Sequence, residues 1–163
     1  MNKLYVFVEG SDDERFFRYY FSKKNVKIIQ YANMSHKDFA NLVRTISYTS
    51  NVDYIILTDA DGASIDEKKG KFTEKRPTCD CSKVFISQYE IESWYIAGFN
   101  SIDCAKYKIK YIDCTDSVSK EKFETIIPKG FTPVSFKIEI LKCFDLESAK
   151  KRNTSFRLFA NAK

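Results

Sequence analysis

Two uninterrupted apolar runs constrain this chain more than any other feature. Leu4-Tyr5-Val6-Phe7-Val8 and Tyr54-Ile55-Ile56-Leu57-Thr58 are each continuous rather than alternating. A strand with one solvated face alternates apolar and polar side chains. A continuous run of aromatic and β-branched residues reads instead as a strand covered on both faces, as in a parallel sheet. Each run stops at an acidic turn that contains glycine: Glu9-Gly10 after the first, and Asp59-Ala60-Asp61-Gly62 after the second.

The intervening segments read as strand and helix in alternation. Ser11 is placed as a helix N-cap, with Glu14 completing a capping box and Asp12 and Asp13 favoured by the helix dipole. Phe16, Phe17, Tyr20 and Phe21 then form the buried stripe. Residues 26–31 read as a second strand. Residues 35–48 read as a helix that starts near His36 and buries Phe39, Leu42, Val43 and Ile46. Residues 63–82 are polar and lysine-rich and read as a loop with room for one short helix. Residues 84–87 form a fourth strand, and residues 91–99 a helix carrying Trp94 as a core residue. Beyond residue 100, helices are expected over 120–127, 136–144 and 146–159. The expected fold is α/β: a mostly parallel four-stranded sheet flanked by helices, with right-handed crossovers and a helical C-terminal extension. A chain of 163 residues suits one domain over residues 1–163, with a core at about 3–100 and the extension at about 101–163.

Composition narrows the function classes. Hydrophobic residues make up 44% and charged residues 30%, an ordinary globular balance. No stretch reaches transmembrane length, and the N-terminal apolar run is too short for a secretory signal. The expectation is a cytoplasmic protein with no membrane partner. The five cysteines are odd in number, and Cys79 and Cys81 are separated by one residue. That is not the usual two-residue zinc spacing, so reduced thiols are preferred to a zinc site. The net charge of +5 is uneven: residues 1–100 hold 14 basic and 14 acidic side chains, whereas residues 101–163 hold 13 and 8. A basic region beside an acidic site suits a polyanion such as DNA or RNA.

In open parallel sheets, ligands bind at the carboxyl ends of the strands. Glu9, Asp59 and Asp61 are expected at that edge, with Asp59 and Asp61 on one side by strand alternation. Converging carboxylates repel unless a cation sits among them. A hard divalent ion, Mg²⁺ or Mn²⁺, takes oxygen ligands and shares them with water and phosphate. Such an ion stabilises charge on a phosphoryl group and activates water.

Glu9-Gly10-Ser11-Asp12-Asp13 after an apolar strand resembles the E-G-x-x-D pattern of the Toprim superfamily. Asp59-Ala60-Asp61 resembles its D-x-D motif. The resemblance covers roughly residues 3–100 and extends to the Toprim domains of OLD-type nucleases and to small stand-alone bacterial Toprim proteins. The latter carry a Glu-x-Trp stretch, here Glu92-Ser93-Trp94, and a Ser-Phe pair, here Ser155-Phe156. What the resemblance implies is Mg²⁺-dependent phosphodiester chemistry on nucleic acid, most often nuclease activity, with Glu9, Asp59 and Asp61 as catalytic metal ligands. It implies supporting metal roles for Asp13 and for Glu90 or Glu92. The alternative it implies is a non-catalytic or partner-dependent module that binds nucleic acid or an ATPase in a defence or toxin-like system.

Each of these residues has a plainer reading. Asp13 suits a helix N-terminus, and Glu90 and Glu92 suit the start of a helix. Lys68, Lys69, Lys71, Lys75 and Arg76 are either a solvated stretch or phosphate contacts after Asp61. Lys150, Lys151 and Arg152 are either the polar face of a terminal helix or a substrate contact. No glycine-rich phosphate loop recommends a nucleotide cofactor, and no haem is expected.

Overall fold

The computed structural model describes residues 3–162. Met1 and Asn2, and with them part of the reading of the N-terminus, lie outside the described residues. The described chain divides into two compact units. One is the chain up to Thr58 together with Ser64–Ile86. The other is Asp59–Ala63 together with the chain from Ser87 onward.

The first unit is built on the strands β1 (Lys3–Val8), β2 (Val26–Gln30), β3 (Val52–Asp59) and β4 (Val84–Ser87). They form one parallel sheet in the order β2-β1-β3-β4. Val6, Phe7 and Val8 of β1 are fully buried, as are Tyr54–Leu57 of β3. The continuous apolar runs therefore have the two-sided burial that their pattern predicts.

Three helices flank the sheet: α1 (Ser11–Tyr20), α2 (His36–Ser47) and α3 (Ile65–Lys75). Ser35 caps α2 by accepting from Asp38 N, and Phe39, Val43 and Ile46 face the core. Phe7 meets Phe39 edge-on at 5.2 Å and Tyr54 at 6.3 Å.

Two local readings of this unit need correction. The N-cap of α1 is Gly10, not Ser11, and the Asp13 carboxylate accepts from Gly10 N at 2.8 Å. Glu14, expected in the capping box, instead accepts from Gln30 at 2.6 Å and from Arg18. Residues 65–75 form an 11-residue helix, longer than the one short helix expected within the lysine-rich stretch. Ser64 caps it through Glu67 N, and only Phe72 of α3 is buried. A helix burying a single side chain lacks the apolar periodicity by which helices are recognised.

The second unit is helical: α4 (Glu92–Ala97), α5 (Ser101–Lys106), α6 (Lys120–Thr125), α7 (Pro133–Lys142), α8 (Leu146–Arg152) and α9 (Thr154–Asn161). The single helix expected over 146–159 is two. Asn153 breaks it with extended dihedrals, and its side chain caps α9 by accepting from Phe156 N at 2.8 Å. Asparagine is a strong N-cap residue, and this property overrides the helical periodicity on either side.

Trp94 is the centre of this unit, as expected for a core residue. It is fully buried, with Phe156 and Phe159 at 5.3 and 5.2 Å. Its indole N–H donates to Ser155 Oγ at 2.8 Å, and Ser155 donates on to Asn153 Oδ1 at 2.8 Å. The Glu-x-Trp and Ser-Phe stretches, 61 residues apart from Trp94 to Ser155, thus meet in one buried polar network. Among the described residues, no helix is long and apolar enough to cross a membrane.

Candidate functional site

In the first unit, the ends of β1 and β3 and one face of α3 enclose a cleft of about 400 Å³. The β1–β3 pairing, Phe7 opposite Ile56, brings Glu9 level with Thr58. Thr58 Oγ1 donates to Glu9 Oε1. The Tyr31 hydroxyl, at the end of β2, donates to the same oxygen at 3.0 Å. Two hydroxyls on one oxygen fix the carboxylate rotamer, while Glu9 stays half-buried and lines the cleft. Tyr31 is buried, and both burial and the nearby Glu9 charge push its phenol well above the ordinary tyrosine range. It remains a protonated donor at any physiological pH.

The opposite wall is cationic. Lys68, Lys71, Lys75 and Arg76 line the cleft beside Phe72. Their spacing of three, seven and eight residues from Lys68 puts all of them on one face of α3. Lys69 falls off that face and does not line the cleft. Phe72 anchors the face against Tyr31 at 6.1 Å. The Arg76 guanidinium lies 4.4 Å from the Phe72 ring centroid, and 5.7 Å from those of Tyr31 and Phe39. A guanidinium spread on aromatic faces keeps its planar fork oriented for an anion. Lys71 pairs with Glu67 at 2.5 Å on the surface, an ion pair of small energetic value. With four cations and one carboxylate on its walls, the cleft attracts anions.

The other acidic residues belong to the second unit. Asp59 accepts from Ser87 Oγ. Asp61 does not continue an extended chain: its φ is +51° and that of Gly62 is +80°. Strand alternation therefore fails to orient Asp61 relative to Asp59. Any side chain at Gly62 would strike the Tyr89 ring, 2.9 Å from its Cβ position. Asp61, Glu90 and Glu121 border a shallow concavity with Tyr89 and Ser119. Glu90 accepts from Lys120 N at 2.7 Å. Burial raises its pKa, the Glu92 and Glu121 charges raise it further, and the Lys120 amide opposes them.

Other expected site residues are committed elsewhere. Glu92 is buried and ion-paired with Lys137 at 2.6 Å. Arg152, read as a nucleic-acid contact, is buried as well. It donates to the carbonyl oxygens of Ala97, Phe99 and Ile112 at 2.5–3.0 Å and stacks over Tyr111. Lys150 pairs with Glu147 at 3.2 Å, and Lys151 is exposed. The five cysteines carry free thiols, with Cys79 and Cys104 buried.

Tyr31, Thr58 and Phe72 escape the sequence reading because nothing local distinguishes a strand-end hydroxyl or a lone helix phenylalanine. The spacing of the cations from Lys68 to Arg76 is the signal that could have found the α3 face. Among the described residues, no group of three or more His, Cys, Asp or Glu is gathered to hold a metal ion. No family model, curated protein or solved structure matches the chain.

Proposed function

We propose that the chain carries out Mg²⁺- or Mn²⁺-dependent phosphodiester cleavage on nucleic acid in the cytoplasm, as a Toprim-like nuclease. The observation that carries this reading is the cleft of the first unit, where a rotamer-locked Glu9 faces four cations. Lysine and arginine on one helix face suit successive backbone phosphates. A fixed carboxylate suits a metal ligand or a general base. The metal, when bound, would supply charge stabilisation and an activated water. Glu9 is its proposed ligand in this cleft, and the D-x-D motif alone supports a metal role for Asp59 and Asp61. Free thiols suit a reducing compartment.

A second reading, a binding module that needs a partner such as an ATPase, is favoured by the charge of the same cleft. Four cations against one carboxylate bind a phosphate backbone without any chemistry.

Labelled single- and double-stranded DNA and RNA, incubated with Mg²⁺ or Mn²⁺, separate the two readings. Cleavage that requires the metal and disappears in Asp59→Ala/Asp61→Ala supports the nuclease. Equal cleavage by wild type and variant contradicts it, and binding without cleavage favours the module. In either case Lys68→Ala/Lys75→Ala is expected to weaken binding to a single strand. The slope of log affinity against log salt should flatten by about 1.4, because two fewer phosphates are neutralised. An unchanged slope would remove the α3 face from the interface.

A further inference from the structure

Lys108 breaks a local rule. It follows α5 with φ +57°, the left-handed conformation in which a lysine is strained. Lys108 N donates to Ala105 O at 3.1 Å, and Ile109 N to Cys104 O at 3.0 Å. These two bonds make the paired C-terminal turn whose left-handed position normally belongs to glycine or asparagine. The other non-glycine residues of positive φ among those described are Asn51 and Asp61, whose short polar side chains tolerate it. A residue held against its local preference points to a role in function.

Its surroundings suggest that role. Lys108, Lys110 and Lys129 line a concavity of about 560 Å³ in the second unit, together with Tyr107, Ile126 and Pro128. No carboxylate lines it among the described residues. All three lysines are exposed. The Tyr107 ring is held by Phe99 at 5.5 Å and Phe131 at 5.8 Å, and its hydroxyl turns to Glu139 at 3.3 Å. The concavity thus pairs a cationic rim with a fixed aromatic and aliphatic wall. Single-stranded nucleic acid matches both: its phosphates meet lysines and its unstacked bases meet apolar and aromatic surfaces. A duplex keeps its bases stacked inside and makes no use of the wall.

We propose that this concavity is a second nucleic-acid contact that binds a single-stranded segment, with Lys108 kept in a strained turn because its ammonium is needed there. It shares with the nuclease reading only the polyanionic partner, and it holds whether or not the chain cleaves.

Anisotropy of a fluorescent single-stranded oligonucleotide and of its duplex, titrated across salt in EDTA, tests it without cleavage. Lys108→Gly is expected to raise the melting temperature, by roughly 2–4 °C for a chain of this size, and yet to weaken single-strand binding. Lys108→Gly/Lys110→Ala/Lys129→Ala should flatten the single-strand salt slope by about 2, because three fewer phosphates are neutralised. Lys68→Ala/Lys75→Ala, measured alongside, reports on the cleft of the first unit separately. An unchanged slope in the triple variant, tighter binding of duplex than of single strand, or a lower melting temperature for Lys108→Gly would each overturn the proposal.

Discussion

Methionine in place of Lys137 is expected to lower the unfolding free energy by about 3–5 kcal/mol, because it strands a buried carboxylate. Glu92 and Lys137 are both under 4% exposed and meet at 2.6 Å. Lys137 also lies 5.5–5.8 Å from the ring centroids of Phe123 and Tyr95. Water has little access to replace the missing ammonium there. Two apolar residues of similar volume relieve the problem, since a buried pair returns little beyond its own desolvation cost. Glu92→Met/Lys137→Met is therefore expected to recover most of the loss. Urea unfolding of the wild type, both single variants and the double variant gives the coupling directly. A single variant as stable as the wild type would mean that the pair is not buried in solution.

Arg152→Ala is expected to cost at least about 3 kcal/mol, from several charge-assisted hydrogen bonds and the carbonyls they leave unsatisfied. The guanidinium ties the end of α4, through Ala97 O and Phe99 O, to the segment at Ile112. Arg152→Lys should rescue little of this, because an ammonium lacks the fork that reaches three carbonyls at once. Single-strand binding per folded molecule should be unchanged, since the side chain is interior. Loss of binding with full stability would restore it as a nucleic-acid contact.

These two residues also mark where sequence reading stops. Lys-Lys-Arg at residues 150–152 reads as one basic patch, yet the three side chains go to a surface pair, to solvent and to the interior. Glu92 reads equally as a ligand or a helix-start residue, and its buried partner is 45 residues away. Charge is visible in a sequence, whereas burial of a charge depends on partners from distant segments. The sheet was far more legible. β1 and β3 announce themselves by continuous apolar runs, because two-sided burial leaves no polar position in the strand. α3 was hidden because it buries only Phe72, and its cap at Ser64-Ile65-Asp66-Glu67 is the signal that remained. Glu9 is legible in the sequence as a strand-end residue, directly after β1. Its clamp by Tyr31 and Thr58 depends on the strand register, which local pattern does not encode.

Glu9 is the most direct test of the proposed chemistry. The measurement is the Mg²⁺-dependent cleavage rate of a labelled single strand by wild type and by Glu9→Gln, with unfolding and binding measured on the same samples. Glutamine keeps an oxygen for the Tyr31 and Thr58 hydroxyls while removing the charge. The expected result is a rate loss of about 100-fold or more, with folding intact and single-strand binding retained by the α3 cations. Metal-dependent cleavage by Glu9→Gln at the wild-type rate would contradict the assignment of this cleft as the reactive site.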